Sequence, residues 1–469
     1  MAKDHDGEVP LLSHTNQQQE DDNTVRALRL SSSSSDTLTD ENEQDDIELH
    51  HELEHSRHYT YSIEEEKALV RRLDRRLLVF AMFGNLIKTM DNTNISNAYI
   101  SGMEEDLNIQ GKQYNWMTVL FWAGYLLMQI PSNIILSRFR PSCYLPFLEI
   151  IWCILTLSMA CVQSVTAVYC IRFLLGAFEA GFYPGIVFLV GTWYSHKELG
   201  KRNAWITIFG SLGGALSGVI QAILLKLADG FLGISGWRWL FVFDGLITFF
   251  LAYFGYKYLP DYPSTTSWLS PKEKDLAVLR LDKEGRETKQ SNTLKTRQLL
   301  HSLLFNKYIY FLVLGWTLLF LAVGGAHVLG IIAKKVGYDA ITANLFTSPD
   351  MVISMLAGLG NGYLSDYFRT RIWCLIAPLS LSVLGFSLLA AFVQPFGVFY
   401  FAYIIMHAGL SATSPVAMTW ASEIMQESVE LRALAIAIMN SSSSSMYTWA
   451  PLVLWPVTDA PRYCKWKNI

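Results

Sequence analysis

LLVFAMFGNLIKTMDNTNISNAY, the stretch from Leu77 to Tyr99, is apolar and long enough to cross a bilayer as a helix. Its second half is nevertheless polar and contains Lys88, Asp91, Asn92, Asn94 and Asn97. A charged side chain at this depth is costly unless it faces a bundle interior or a water-filled cavity and has a partner. Lys88 and Asp91 are three residues apart, so a helix makes them neighbours on one polar stripe. The stretch therefore predicts a membrane helix that directs this stripe into a pathway or binding site.

The composition of the whole chain extends this prediction to many helices. The 469 residues are 51% hydrophobic and only 17% charged, with a mean hydropathy of +0.24. This is too apolar for an ordinary soluble protein, and the net charge of -4 gives no basic surface for nucleic acid. The six cysteines lack metal-ligand spacing and no catalytic motif stands out, so no metal and no enzyme activity are expected. These observations favour an all-α, multi-pass membrane protein.

About eleven apolar stretches approach the length of a membrane span. They cover residues 77–99, 114–137, 143–163, 166–194, 204–228, 239–259, 308–332, 341–365, 372–393, 397–420 and 433–456. The polar segment 261–307 predicts a cytosolic linker between two membrane bundles, 70–260 and 308–469. Residues 1–60 are acidic and rich in serine, and they predict a disordered tail because they cannot bury enough apolar surface to offset the entropy of ordering.

Basic residues in the short loops predict the orientation of the chain. They occupy alternate loops, at Arg71, Arg72, Arg75 and Arg76, at Arg138 and Arg140, from Lys197 to Arg202, and at Arg369 and Arg371. The excess of positive charge predicts that these loops and the N-terminus are cytosolic. The other loops are acidic or neutral, with Lys334 and Lys335 as the main exception. The N-terminus has no cleavable signal peptide, so the first span is expected to direct insertion, with the plasma membrane as the expected location.

Two further patterns concern helix packing. Small residues recur every four positions at Gly210, Gly214 and Gly218, and at Gly358 and Gly362, which is typical of helices whose backbones approach closely in lipid. Tryptophans near the ends of the apolar stretches, such as Trp193 and Trp237, are expected to form an interfacial aromatic belt.

The loop after the eighth stretch reads GYLSDYFRTR, from Gly362 to Arg371, and resembles the cytosolic signature loop of the major facilitator superfamily. In that loop Gly362 is expected to allow close packing, and Asp366, Arg369 and Arg371 are expected to form a breakable charge cluster. The corresponding loop of the first half, SNIILSRFR, lacks the Gly and the Asp. The resemblance implies two bundles of six spans around a central cavity that works by alternating access.

A narrower resemblance covers most of the chain after residue 70. The segments DNTNISNAYISGM (91–103), QIPSN (129–133), GWRWLF (236–241) and LPDYP (259–263), with Asp106-Leu107, are similar to the fungal anion:cation symporter, or allantoate permease, family. An Arg commonly follows the Asp of the first span in that family, whereas Asn92, with Lys88 one turn earlier, is more similar to its pantothenate-transporter branch. The resemblance implies proton-coupled import of a small organic anion, with pantothenate as the leading substrate and the proton gradient in place of a cofactor. The alternatives are biotin, nicotinate, allantoate or a dipeptide as substrate, or a transport-like nutrient sensor.

The buried polar residues define the expected site. Those expected to bind substrate or to couple it to protons are Lys88, Asp91, Asn92, Asn94, Arg172, Glu179 and His327. Lys88 and Arg172 are the expected cations for a carboxylate, and Asp91 is the acid expected to neutralise Lys88. Asp244 is expected to have an interfacial, structural role. The alternative for Lys88 and Asp91 is an ion pair that only locks helix packing.

The end of the sequence raises a separate expectation. The family plan calls for twelve spans, whereas the eleventh apolar stretch ends shortly before Ile469 and contains the run from Ser441 to Ser445. A truncated product with impaired transport is therefore expected. The expected partners are a small anionic molecule and the lipid bilayer, and the chain is expected to be a monomer.

Overall fold

The computed structural model describes residues 62–282, 306–324, 328–391, 395–425 and 429–460, apart from a few side chains within its helices. Within these ranges the chain is helical and contains no strand. From Lys67 onward it forms one compact unit. The tail predicted over 1–60 and residues 283–305 of the predicted linker lie outside the described residues.

The helices of the first half follow one another across the membrane region with short connections. They are α1 (Ile63–Leu73), α2 (Val79–Ala98), α3 (Gln113–Arg138), α4 (Pro141–Met159), α5 (Val165–Glu179), α6 (Phe182–Trp193), α7 (His196–Ala228), α8 (Gly236–Tyr258) and α9 (Pro271–Asp282). A π-helical turn, Asp74–Leu78, joins α1 to α2. Helix α7 begins with a capping box, in which Ser195 and Glu198 each bond the backbone of the other.

The second half repeats this plan. Its helices are α10 (Lys307–Val323), α11 (Leu329–Val336), α12 (Ala340–Phe368), α13 (Ile372–Ala390), α14 (Phe396–Ile424), α15 (Val429–Met446) and the short α16 (Ala450–Val453). Asn306 caps α10 and Asp339 caps α12, because their side-chain oxygens accept hydrogen bonds from the backbone amides of Tyr308 and Thr342. The two halves thus place matching helices around a common centre.

Two of the predicted spans are not single helices. The fourth, predicted over 166–194, is interrupted between α5 and α6 at Ala180 and Gly181. The seventh, predicted over 308–332, divides into α10 and α11. Within the part of the chain that the structure describes, six helical segments are long and apolar enough to cross a bilayer: Pro141–Met159, Val165–Trp193, Glu198–Ala228, Gly236–Tyr258, Ile372–Ala390 and Phe396–Ile424. Helix α2 is not among them, because its polar stripe lowers its mean hydropathy.

Glycines bring the backbones of the first half into direct contact. A Cβ atom added to Gly213 of α7 would lie 2.0 Å from the carbonyl oxygen of Leu86 on α2. A Cβ on Gly176 of α5 would lie 2.0 Å from the carbonyl oxygen of Phe121 on α3. These approaches are closer than any side chain allows, so α2 with α7 and α3 with α5 form tightly fixed pairs.

The predicted glycine rows are confirmed in α7 but not at Gly362. Gly218 meets the carbonyl oxygen of Asn344 on α12, where an added Cβ would lie 2.6 Å away, so the row of α7 also joins the two halves. An added Cβ on Gly362 would meet no atom within 4 Å. The expectation that Gly362 allows close packing is therefore wrong for this conformation.

The basic loops lie at one end of the molecule, called here the basic end. Their ion pairs each join residues of one half. Arg202 lies 2.8 Å from Asp74, Arg140 lies 2.5 Å from Asp261, and Arg280 pairs with Glu198. The prediction that Trp193 belongs to an interfacial aromatic belt is wrong. This side chain is buried and donates a hydrogen bond of 2.8 Å to the carbonyl of Asp261.

The opposite end, called here the sealed end, connects the halves. Lys334 lies 2.7 Å from Glu105 and Lys335 lies 3.3 Å from Glu104, which explains the two lysines that depart from the loop-charge pattern. Asn115 donates to the carbonyls of Pro451 and Trp455, at 2.9 and 3.0 Å, and accepts from the Val457 amide. Several contacts thus hold the halves together at this end.

Asp106 fixes the loop of the sealed end within the first half. It accepts hydrogen bonds from Ser235 and from the buried Trp237, at 2.5 and 2.8 Å. Partial burial opposes ionisation of Asp106, but these two donors outweigh it and hold the pKa of the carboxyl below its ordinary value. The stability that Asp106 contributes is therefore present above its unfolded-state pKa and is lost as the pH falls through the folded-state pKa.

The close contact at Gly213 makes the first testable prediction. Gly213→Val should destabilise the folded protein by about 1–3 kcal/mol, because the new side chain forces α7 away from α2. The melting temperature of the detergent-purified protein should fall by several degrees. Gly360→Ala is the matched control, since an added Cβ at Gly360 meets nothing within 4 Å. An equal effect of both substitutions would contradict the packing argument.

Candidate functional site

A cavity of about 520 Å³ lies between the two halves. The first half lines it mainly with polar groups: Lys88, Thr89, Asn92, Thr93, Ser96, Asn97, Tyr114, Asn115, Thr118, Arg172 and Ser211. The second half lines it mainly with apolar groups: Phe320, Val323, Val328, Leu329, Met351, Pro451 and Trp455. Thr347, Asp350 and Tyr447 are the polar exceptions on this second wall. The cavity therefore offers one cationic, hydrogen-bonding wall and one apolar wall.

Lys88 is held at the first wall by Glu179 of α5. Its ammonium nitrogen lies 3.4 Å from Glu179 Oε1, and Asn92 donates a hydrogen bond of 2.8 Å to the same oxygen. The Lys88 nitrogen also lies 5.2 Å from the centre of the Tyr125 ring, within range of a cation–π interaction. Glu179 is fully buried, whereas 14% of the Lys88 side chain is exposed. The cation consequently reaches the cavity and its counter-ion lies behind it.

The structure corrects the predicted pairing of Lys88 with Asp91. Asp91 points to another face of α2, where Trp152 of α4 donates a hydrogen bond of 3.2 Å to its Oδ2. Side chains at positions 88 and 91 are neighbours on a helix, but Lys88 pairs with Glu179 of α5, whereas Asp91 bonds Trp152 of α4. Sequence spacing identified the two buried charges and did not identify their partners.

Asp244 belongs to the interior network and not to the interface. It is fully buried on α8, and Asn94 donates a hydrogen bond of 2.6 Å to its Oδ2. Ser217 of α7 in turn donates to Asn94 Oδ1 at 2.7 Å and accepts from Asn97 at 2.6 Å. The expectation of an interfacial role for Asp244 is wrong, because the start of α8 is itself packed into the bundle. Asn94 is thereby placed behind the cavity wall, in the network that supports it.

Arg172 supplies the second cation of the cavity wall. Its side chain is buried, its guanidinium carbon lies 4.3 Å from the centre of the Phe121 ring, and it contributes to the cavity lining. Asp91 and Glu179 act on it as electrostatic partners from within the first half. Its Nε atom has no hydrogen-bond partner among the described residues. Lys88 and Arg172 are thus two cations on one wall, as the sequence predicts.

The predicted charge cluster of the signature loop is present at the basic end. Arg371 bonds Asp366 at 2.7 Å and Glu423 of α14 at 2.6 Å. These hydrogen bonds, first from Glu423 and then from Asp366, hold the pKa of the Arg371 guanidinium above its ordinary value. Arg369 ends α12 in the left-handed conformation, with φ of 51°, and so turns the chain toward α13.

Asp350 and His407 of the second half are functional candidates by their apolar sequence context, but their pairing is not predicted by the sequence, which favours His327 as the proton carrier. His327 lies outside the described residues. His407 of α14 is instead placed 2.8 Å from Asp350 of α12, with both side chains buried. Both residues stand in apolar runs, but they are 57 positions apart, so their pairing carries no local sequence signal.

The halves meet at the sealed end. Ser348 donates to the Ala215 carbonyl at 2.7 Å, and Trp122 stacks on Tyr447 with ring centres 4.7 Å apart. Further along the same face of α12 lies Gly362, beside which the structure is open. The cavity is therefore closed on one side by direct contacts between the halves. Such a cavity between two movable halves defines the class of protein as a secondary transporter.

Comparison with known proteins agrees with this class. The family model described as Major Facilitator Superfamily matches residues 81–451. The chain belongs to the major facilitator superfamily. The all-helical fold and the transport activity of this superfamily account for the two halves and the cavity. The protein is therefore a membrane transporter and not an enzyme.

Individual relatives are transporters as well. The chain is 31% identical over 424 residues to the MFS-type transporter cnsO of Penicillium expansum, covering 87% of this chain and 80% of that protein. It is 28% identical over 414 residues to the pantothenate transporter liz1 of Schizosaccharomyces pombe, covering 85% and 78%. Among solved structures, a bacterial homologue of the human lysosomal transporter Spinster, in an inward-facing and unoccupied conformation, superposes with a TM-score of 0.64 at 17% identity over 80% of each chain.

The buried pair of Lys88 and Glu179 makes the second prediction. Lys88→Met should lower the free energy of unfolding by about 3–5 kcal/mol, because it leaves the Glu179 carboxylate buried without its cation. The double variant Lys88→Met with Glu179→Gln should recover most of this loss, since no isolated charge remains. Thermal melting of the purified proteins measures both effects. Lys226→Met, at an exposed lysine of α7, is the control, and equal destabilisation by the single and double variants would rule the pair out.

Proposed function

We propose that this transporter imports a small organic anion together with protons, with pantothenate as the leading substrate. The observation that carries the proposal is the pair of cations, Lys88 and Arg172, on one wall of a cavity whose other wall is apolar. A carboxylate forms strong charge-assisted hydrogen bonds with such cations in a low-dielectric site. The pantothenate transporter of Schizosaccharomyces pombe among the relatives supports the substrate, and the motifs shared with the fungal allantoate permease family support the anion class.

The orientation proposed is the one that loop charge favours. The basic end is cytosolic and the sealed end faces outward, so the N-terminus is inside and the conformation is inward-facing. The plasma membrane is the proposed location, because import of an external vitamin requires it there. One chain encloses the whole cavity, so the proposed working unit is a monomer.

Glu179 supplies a physical route from anion binding to proton uptake. In the absence of substrate, Glu179 accepts from both Lys88 and Asn92. A substrate carboxylate at Lys88 competes with Glu179 for that ammonium group. A buried carboxylate that loses its cation favours its protonated, neutral form, so anion binding draws a proton to Glu179. Asp91 and Asp244 lie in the same interior network. Their carboxyl groups contribute to the local electrostatic field in which Glu179 takes up the proton.

Uptake in yeast gives the third prediction. A pantothenate-transporter-deficient strain that expresses this chain should accumulate labelled pantothenate, and a protonophore should abolish the accumulation. Lys88→Ala should reduce uptake about tenfold or more at equal surface expression, because the carboxylate loses its cation. Lys226→Ala serves as the matched control at an exposed lysine.

The outcomes separate the proposed function from its alternatives. Protonophore-sensitive uptake of biotin, nicotinate, allantoate or a dipeptide, in the absence of pantothenate uptake, would keep the mechanism and replace the substrate. Binding of pantothenate without accumulation would support a nutrient sensor. Normal affinity and pH dependence in Lys88→Ala, Asp91→Asn and Asn92→Ala, all at the cell surface, would show that α2 does not form the site.

A further inference from the structure

Asp350 and His407 form a buried acid–base pair in the second half that the proposed mechanism does not use. The Nδ1 atom of His407 lies 2.8 Å from Asp350 Oδ2, and the two side chains are 7% and 2% exposed. Asp350 contributes to the cavity wall, whereas His407 lies behind it. The second carboxylate oxygen, Asp350 Oδ1, has no hydrogen-bond partner among the described residues. The pair therefore offers an unused oxygen at the apolar wall of the cavity.

The surroundings of the pair are apolar. Among the second-half side chains whose burial the structure describes, which exclude residues 429–434, no other Asp, Glu, Lys, Arg or His is buried. The neighbouring cavity wall is formed by Phe320 of α10, Leu329 of α11 and Met351 of α12. Helix α7 contributes Ser211 and Gly214, which carry no charge. Among the described residues of this wall, no other acidic or basic side chain is available to bind a proton in place of Asp350.

The ionisable groups that face the pair come from five helices, one of which, α14, also carries His407. Across the cavity they are Lys88 of α2, Tyr114 of α3 and Arg172 of α5, and on the near side they are Tyr400 of α14 and Tyr447 of α15. Tyr400 is engaged with the backbone, since its hydroxyl donates to the Phe346 carbonyl at 2.9 Å. The cations lie on the opposite wall, so a substrate anion bound to them occupies the space between them and Asp350.

Charge balance gives the pair a proton-dependent role. A carboxyl and an imidazole together hold zero, one or two protons, with net charges of -1, 0 and +1. An anion on the opposite wall favours the state with a second proton, which Asp350 Oδ1 is free to hold. By reciprocal linkage, the factor by which the anion strengthens proton binding equals the factor by which the proton strengthens anion binding.

We infer that Asp350 and His407 form a second proton-binding site, which takes up a proton on Asp350 Oδ1 when an anionic substrate occupies the cavity and releases it to water after substrate has left. Asp350 is the group that carries the proton. His407 is a positioning residue that holds the carboxylate and shares its charge. This inference rests on the proposed function, and it adds a coupling site in the half of the protein that carries no substrate cation.

Transport by the purified full chain in liposomes tests the inference with labelled pantothenate. Exchange of internal for external substrate needs no net proton movement, whereas accumulation driven by an alkaline interior does. Asp350→Asn imitates the protonated carboxyl and cannot release a proton. The variant should keep exchange near the wild-type rate, while its gradient-driven accumulation ratio falls from the value that two coupled protons support to the lower value that the Glu179 proton alone supports.

A second variant tests the role of His407. His407→Asn keeps a hydrogen-bond donor near Asp350 but removes the titrating ring. Accumulation should persist, and its dependence on pH should move, which a merely structural role would not produce. If Asp350→Asn does not fold, this displacement of the pH profile carries the test alone. Tyr400→Phe is the control and should change neither assay.

The contrary outcomes are distinct. Wild-type accumulation by folded Asp350→Asn would overturn the inference, and so would an unmoved pH profile in His407→Asn. Loss of both exchange and accumulation in folded Asp350→Asn would also overturn it, because the carboxylate would then bind substrate and not a transported proton. Wild-type protein that exchanges pantothenate without responding to a pH gradient would contradict the proposed proton coupling itself.

Discussion

The central constraint on this molecule is that ionised side chains in a membrane interior need partners within the protein. The first half contains five such residues close together, Lys88, Asp91, Arg172, Glu179 and Asp244, and the structure arranges most of them behind the wall that they support. Glu179 neutralises Lys88. Asp91 accepts a hydrogen bond from Trp152 and interacts electrostatically with Arg172, and Asp244 accepts a hydrogen bond from Asn94. Only Lys88 and Arg172 reach the cavity. The acids therefore determine which positive charge is available to a ligand.

Close helix packing is what makes this arrangement specific. The glycines at 176 and 213 fix α3 with α5 and α2 with α7, and these four helices carry the cations and much of their support. A shift of one helix by a fraction of a turn would separate Lys88 from Glu179 and leave both groups in an apolar medium without compensation. The ion pairs and the backbone contacts thus depend on one another. Between the halves, the close approach of Gly218 to α12 is joined by hydrogen bonds and surface ion pairs at the sealed end.

Much of the fold and part of the site were predictable from the sequence. Apolar length located the helices, loop charge separated the two ends, and the signature loop from Gly362 to Arg371 identified the superfamily that the comparisons confirm. The rule that buried charges are functional selected Lys88 and Arg172, which do line the cavity. These features follow from local composition, which a single sequence displays.

The partners of the buried charges were not predictable in this way. Lys88 pairs with Glu179, which is 91 positions away, and not with the adjacent Asp91, because the fold and not the helix spacing brings the two together. Trp193 and Trp237 have the composition of an interfacial belt, yet each is buried with its indole nitrogen bonded to another segment. The breaks after Glu179 and Val323 are marked in the sequence only by Gly181 with Pro184 and by Gly324 with Gly325, which lie inside otherwise apolar runs.

The unequal walls of the cavity have a consequence for how such transporters diversify. Under the proposed function, the carboxylate of the substrate is recognised by the first half and the rest of the molecule by the second, so the two tasks are separable during evolution. Exchanges among Phe320, Val323, Leu329 and Trp455 would reshape the room for the body of the molecule without disturbing any buried charge. Changes near Lys88 would have to be compensated through several helices at once. A lineage that kept the first wall would therefore acquire new carboxylate cargoes by small, independent steps in the second.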